Sequence, residues 1–220
     1  FESVLVEVND VEVSQEYDEY DGWMVNDGSG SCYIYSGFFN MANAGAPIVM
    51  GYPFDKITGI VTYFWGNYLL EPRSFDDYSS SPNGYIISTP NTTVVNNNFE
   101  LPIQLSFWGD AQQVNTYSFE MQFDSEVINY EGYNSNATLS QGGVIDVSQP
   151  NPSTIQLEFN GDFSFENIQD LIKIEFSVVS SGATTIGFNA FEIDGANIQY
   201  FSLGEVNTNN DAEPIGDTLT

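Results

Sequence analysis

The sequence predicts an all-β protein, a small β-barrel followed by an antiparallel β-sandwich. Three observations carry that expectation. Apolar residues recur with a period of two over several runs, no long stretch keeps a helical period, and the runs are separated by clusters of Asn, Gly, Pro and Ser. At 220 residues the chain is long enough for one large β domain or two of about 100 residues, and either buries a workable core.

Residues 1–78 read as the first domain. Residues 1–8 alternate, with Val4 and Val6 on one side and Leu5 on the other, and Val11 and Val13 continue after Asn9 and Asp10. The acidic segment 15–21 reads as a loop. Residues 23–25 and 32–35 are short strands around Asn26-Asp27-Gly28-Ser29-Gly30, a turn sequence that tolerates positive φ. A Gly/Ala/Pro-rich loop over 40–53 follows. Residues 57–64 and 68–70 then form a second hairpin around Trp65-Gly66-Asn67. Several short strands of this kind suggest a small barrel.

Ser79-Ser80-Ser81-Pro82-Asn83-Gly84 has the composition of a flexible or turn-forming joint and is read as a linker over 79–84. Residues 85–205 form the second domain. Leu101, Ile103, Leu105 and Phe107 share a face, as do Tyr117, Phe119, Met121 and Phe123. Ile155, Leu157 and Phe159 make another set, then Ile172, Ile174, Phe176 and Val178, with Ile186, Phe188 and Ala190 closing the series. This pattern argues for an antiparallel sandwich. Residues 165–171 are the one plausible helical turn. From Val206 the chain is polar and reads as a C-terminal tail over 206–220 with too little apolar content to fold alone.

The charge is lopsided: 31 acids against three bases, Lys56, Arg73 and Lys173, for a net charge of −28. Charged residues make up only 15% of the chain, so the imbalance reflects missing Lys and Arg. Three bases cannot line a nucleic acid, where each phosphate contact needs a basic side chain, and an anionic membrane surface is disfavoured on the same grounds. The acidity suits solubility outside the cell, or carboxylates that collect Ca²⁺. The chain has no histidine, which removes Ser-His-Asp and Cys-His catalysis and an ordinary zinc site. Cys32, the single cysteine, cannot form an internal disulfide and reads as a core thiol. No run approaches the roughly 18 apolar residues of a membrane span, so no membrane insertion is expected. No leader is visible, so a processed form or part of a longer chain is expected.

Residues 91–94 leading to Leu101-Pro102-Ile103-Gln104-Leu105, the stretch from Tyr117 to Tyr130, and the stretches from Leu171 to Val178 and Ser181 to Phe188 follow one another in the order of a known pattern. Over about 120 residues the second domain resembles the cohesin-like, carbohydrate-binding-module-associated β-sandwich family. The resemblance implies the sandwich fold and, more weakly, dockerin binding. Glu2 to Val8, Trp23 to Gly30, Ile57 to Val61 and Leu70 to Tyr78 carry a second likeness. Over about 75 residues the first domain resembles an OB-like module of secreted Bacteroidota proteins. That resemblance implies an OB-like barrel, a fold that often binds oligonucleotides or oligosaccharides.

Several residues are candidate sites, each beside a plainer reading. Asp124 and Glu126 follow an apolar strand and could join another loop carboxylate to hold calcium, the one cofactor suggested; solvated turn acids are the plainer reading. Asp27-Gly28-Ser29-Gly30 is more simply a hairpin turn than a metal loop. Asp76 and Asp77 beside Arg73 suit either a salt-bridged domain edge or a cation site. Trp23, Trp65 and Trp108 could stack on sugar rings, with Trp108, at a strand end, the best placed of them; core packing is the plainer reading for all three. Asn91 and Asn136 stand in N-glycosylation-type sequons, and Thr218 in an Asp-Thr-apolar O-glycosylation pattern. With so many acids, a pair of carboxylates placed for glycoside hydrolysis carries no weight.

The resulting expectation is a non-catalytic protein of the cell surface or extracellular matrix, structural or binding in role. The alternative is a subunit of an extracellular filament assembled by strand exchange or β-augmentation, using residues 1–8 or the polar tail. A carbohydrate-binding module of a secreted hydrolase is a third reading. Expected partners are other protein subunits or extracellular glycans.

Overall fold

The structure, a computed structural model, describes residues 3–80, 84–95 and 97–209. Among these residues it is all-β, with one short 3-10 turn at Phe75–Asp77. The first part is a closed barrel. Its strands are β1 (Leu5–Gln15), β2 (Trp23–Asn26), β3 (Ser31–Ile34), β4 (Pro53–Phe64) and β5 (Asn67–Glu71), in the order β1-β2-β3-β5-β4 with β4 returning to β1. A sixth strand, β6 (Tyr78–Ser80), pairs with β4. Both expected hairpins are present, Trp23 facing Ile34 in one and Phe64 facing Asn67 in the other.

Closure requires the long strands to coil. In β1 the half-buried Val6 and Val8 give way to the fully buried Val11 and Val13, so the inward parity flips across Asp10, whose φ is 52°. The partner strand flips beside it, from Phe54 to Ile57. The barrel core gathers Trp23, Val25, Ile34, Tyr52, Phe54 and Ile57 around these positions.

The second part contains β7 (Ile86–Thr89), β8 (Thr92–Val95), β9 (Asn98–Gln122), β10 (Ile128–Asn134), β11 (Val144–Asn151), β12 (Thr154–Val178), β13 (Gly182–Thr185), β14 (Gly187–Ile193), β15 (Ala196–Asn197), β16 (Tyr200–Leu203) and β17 (Glu205–Asn209). An eight-stranded sheet is built on β9 and β12, and a three-stranded sheet runs β13-β17-β8. β9 is 25 residues long and would span about 80 Å if straight. Yet Leu101 and Ile103 near one end share a core with Phe119 and Met121 near the other, so the sheet curls around its own interior. Bulges supply the bend: residues 108–111 of β9 stand opposite Glu166 alone, with Gly109 at φ 127° and Asn167 at φ 60°.

Three expectations need correcting. Residues 165–171 are strand within β12, because main-chain pairing to β9 overrides a spacing that mimics a helical turn. In β14 a bulge between Phe188 and Ala190 shifts the register, so Phe191 and Ile193, not Ala190, take the buried positions. The stretch from Val206 is not a free tail at its start. Residues 206–209 lie in β17, which pairs with β8 on one side and β13 on the other, with Val206 wholly buried; residues 210–220 lie outside the described residues.

Nor is the serine-rich joint free. Ser79 and Ser80 belong to β6, and Ser80 is buried; residues 81–83 lie outside the described residues. Ser80 Oγ accepts the Trp108 N–H at 2.8 Å and bonds the Tyr52 hydroxyl at 2.5 Å, and that hydroxyl donates to the Gly84 carbonyl. Around this network the two parts share apolar surface. Strand alternation sends Phe107 into the sandwich core and its neighbour Trp108 into the barrel core, and likewise divides Ile87 from Ile86. Trp108 stacks on Phe75 with ring centroids 5.4 Å apart, and Tyr200 meets Tyr52 edge-on at 5.1 Å.

Candidate ligand-binding groove on the barrel

An unusual concentration of exposed rings lies at one end of the barrel. Trp65 is 64% exposed, Tyr68 59%, Tyr20 58% and Phe64 52%. Isolated exposed apolar residues need no explanation, but a contiguous set on a soluble surface marks a contact site. Here the rings border a groove of about 620 Å³, floored by Met24 and Leu69 and flanked by Ser31, Tyr33 and Asn67. That volume is within the range of small-ligand sites.

Each ring is placed by its local chain. The β4–β5 turn has Trp65 at φ 50° and Gly66 at φ 85°, the two positive-φ positions of a type I′ turn. Asn or Gly normally occupies the first of these. A tryptophan held there is a conformational outlier of the kind found at functional sites, and it puts the indole at the groove mouth. Phe64 meets it edge-on at 4.5 Å, Tyr35 edge-on at 6.0 Å and Tyr20 tilted at 5.8 Å.

Tyr20 comes from the β1–β2 loop, which Asp18 organises. Its carboxylate accepts N–H bonds from Tyr20 at 2.8 Å and Gly22 at 3.0 Å, and the hydroxyl of Tyr33. Burial opposes the charge on Asp18, but the hydrogen bonds from Tyr33, Tyr20 and Gly22 outweigh it and hold the carboxyl below its ordinary value. Burial and the bond to Asp18 push the Tyr33 hydroxyl up. A β-carbon on Gly22 would overlap the Tyr33 hydroxyl, so a residue without a side chain is needed where the phenol passes.

A pH dependence follows. Because the Asp18 pKa is depressed in the folded state, its contribution is present above the unfolded value and lost as pH falls through the folded one. The wall formed by Tyr20 and Tyr33 is therefore expected to hold from neutral pH down to about pH 4 and to loosen below that. Tyrosine side-chain NMR signals during acid titration check this. The same titration of Asp18→Asn should show no such step.

The groove lining carries no charged side chain. All three bases are engaged elsewhere: Lys56 with Glu7 at 3.8 Å, Arg73 with Asp77 at 2.6 Å and Lys173 with Glu100 at 3.7 Å. Arg73 binds Asp77 through two nitrogens, which, with the N–H of Arg73, holds the Asp77 carboxyl well below the usual range. This is the salt-bridged edge among the two readings of that segment.

The other candidate residues are scattered. Trp108 is fully buried, so its ring is not open to a sugar, and Trp23 is likewise a core residue. Asp124 and Glu126 close a turn, where Asp124 Oδ1 accepts the Glu126 N–H at 2.9 Å and the Asp124 N–H reaches the Thr184 hydroxyl at 3.1 Å. Among the described residues no three acids, cysteines or histidines gather to hold a metal. Asp27 bonds the Ser29 backbone and hydroxyl within its hairpin turn. Cys32 is half-buried against the barrel core, and burial raises its thiol pKa. Asn91 and Asn136 are both exposed, although Asn91 Oδ1 accepts the Glu205 N–H at 2.9 Å. Thr218 lies outside the described residues.

Of the groove residues, only Trp65 stands among the sequence candidates. A signal for Phe64 and Tyr68 lies in the run Tyr63-Phe64-Trp65-Gly66-Asn67-Tyr68. Aromatic residues on both faces of a tight hairpin tip cannot all turn inward.

No protein-family model matches the chain, and no curated protein shows significant similarity to it. Solved cohesin structures do resemble it. A non-cellulosomal cohesin from Archaeoglobus fulgidus is 14% identical, with 59% of this chain and 94% of that one covered and a TM-score of 0.46. A type I cohesin–dockerin complex from Clostridium thermocellum matches at 13% identity, 57% and 94% coverage and a TM-score of 0.47. A type I cohesin from Pseudobacteroides cellulosolvens matches at 15%, 62% and 98%, with a TM-score of 0.43.

Proposed function

We propose that this chain is a non-catalytic binding protein of the cell exterior that contacts its ligand through the aromatic groove of the barrel. The observation that carries the reading is the set of exposed rings of Tyr20, Phe64, Trp65 and Tyr68 around an uncharged groove, in a chain of net charge −28. Interface centres are rich in Trp, Tyr, Phe and Met and poor in charge. The barrel order β1-β2-β3-β5-β4 supports the OB-like reading, in which ligands lie on β2 and β3 between the β1–β2 and β4–β5 loops. These are the elements that carry Met24, Tyr33, Tyr20 and Trp65. The sandwich packs against the barrel core through Trp108, and through Tyr200 on Tyr52.

The filament alternative loses one of its two supports. The start of the polar tail is held in β17 between β8 and β13, whereas residues 5–11 of β1 pair with β4 alone and keep one edge without a ladder partner among the described residues.

An array of extended peptides and neutral glycans, probed with the wild-type chain and with Trp65→Ala/Tyr68→Ala, tests the proposal. The expected outcome is a set of spots on which the double variant binds about tenfold or more weakly, the usual scale for truncating aromatic anchors. Equal binding by the variant on every spot would contradict it.

A further inference from the structure

The groove lies where two hairpins part. β3 and β5 run parallel and meet at one residue pair, Ile34 with Leu70. Just beyond it the Tyr35 N–H donates to the Leu70 carbonyl at 2.9 Å, closing the apex. Carried toward the hairpin tips, that register would set Ser31, Cys32 and Tyr33 beside Asn67, Tyr68 and Leu69. None of those pairs forms among the described residues. β3 is paired along its other side by β2, and β5 by β4. Each strand thus turns a main-chain edge of three residues, about 10 Å long, toward the groove, with no ladder partner across it.

We infer that the groove takes an extended polypeptide segment, which adds its main chain to the open edges of β3 and β5 and lays alternate side chains on Tyr20, Trp65 and Tyr68. This rests on the reading of the groove as the binding site and goes beyond it by naming the occupant. Open strand edges are templates for an added strand, with main-chain bonds giving affinity and pockets for alternate side chains giving specificity. A polymer with an amide donor and acceptor at every residue matches such edges, whereas a glycan matches only the rings. Charge narrows the occupant further. The lining is uncharged and lacks any base, and the charged residues of the loops that flank it are acids: Asp18, which accepts the Tyr33 hydroxyl, Glu19 next to Tyr20 in the chain, and Asp27 in the β2–β3 turn. The segment therefore carries no carboxylate in its centre and has Lys or Arg at its flanks, where a cation can also face the Trp65 ring.

Intrinsic fluorescence of the full chain provides the titration, because Trp65 is exposed while Trp23 and Trp108 are buried. The probe is a short capped peptide of alternating valine and threonine with a lysine at each end. It is expected to shift the Trp65 emission and to slow amide exchange about tenfold or more in residues 31–33 or 67–69. The same peptide N-methylated at alternate residues is expected to bind about tenfold more weakly, since each methyl removes a ladder donor. An unchanged affinity after N-methylation, or binding without amide protection in either strand, would overturn the inference while leaving the groove as a binding site. A Trp65 response to a neutral glucan oligosaccharide and none to the peptide would do the same.

Discussion

Trp108→Ala is expected to destabilise the protein by about 3–5 kcal/mol, the range for removing a large buried aromatic side chain. Trp108 has no exposed surface, stacks on Phe75 at 5.4 Å and belongs to the barrel core although its strand belongs to the sandwich. Truncation opens a cavity where the two parts meet, and the Trp108 N–H that donates to Ser80 is left in a loosened setting. Chemical denaturation monitored by Trp23 fluorescence checks it. A loss below about 1 kcal/mol would mean that the two parts do not depend on each other through this residue. The experiment also separates two roles for a tryptophan at a strand bend, since a sugar platform would tolerate removal without loss of stability.

Gly204→Val is the second large effect, with an expected loss of about 3 kcal/mol or more. Gly204 joins β16 to β17 where the chain crosses the segment between β7 and β8, and a β-carbon there would overlap the Pro90–Asn91 peptide. The obstruction is backbone, which cannot swing aside as a side-chain tip can. The Gly204 N–H also donates to the Thr89 carbonyl at 2.9 Å and to its hydroxyl at 3.0 Å. The variant should lose the parallel pairings of β16 with β7 and β17 with β8, read as faster amide exchange at residues 200–209. Wild-type stability would refute the close approach on which the closing strand depends.

The groups of alternating residues were legible because strand alternation is a local signal. Leu101, Ile103 and Leu105, and Tyr117, Phe119 and Met121, are buried as their spacing required. Legibility failed where the register shifts. The Phe188–Ala190 bulge hides the burial of Phe191, and the Asn167 bulge sits in a polar segment that reads as a turn. β17 was missed for a different reason: it is held between two strands yet presents mostly Asn, Thr and Glu, with Val206 its main apolar anchor. The composition of a short strand in a small sheet does not report its main-chain partners.

The groove was legible only in part. The aromatic run of the β4–β5 tip is visible in the sequence, and Trp65 stood among the stacking candidates. Its companions Tyr20 and Tyr33 are brought beside it by Asp18 and by the closure of the barrel. The parting of β3 from β5 depends on a parallel contact between distant segments and has no local signature. Trp108 reads as better placed than Trp65 because it stands beside Gly109 and Asp110 at an expected strand end, whereas it lies within β9. Burial of Trp108 in the barrel core separates them, and that is a tertiary fact.

The central claim is that the exposed groove serves binding rather than stability, and Trp65→Asn tests it most directly. Asparagine suits the positive-φ position that Trp65 occupies in its type I′ turn. Stability and affinity, for whichever array ligand the wild-type chain holds, are measured on the same sample. The predicted result is an unfolding free energy equal to wild type or up to about 1 kcal/mol higher, with affinity reduced about tenfold or more. Full affinity in the variant, or a loss of stability comparable to that of Trp108→Ala, would contradict the account.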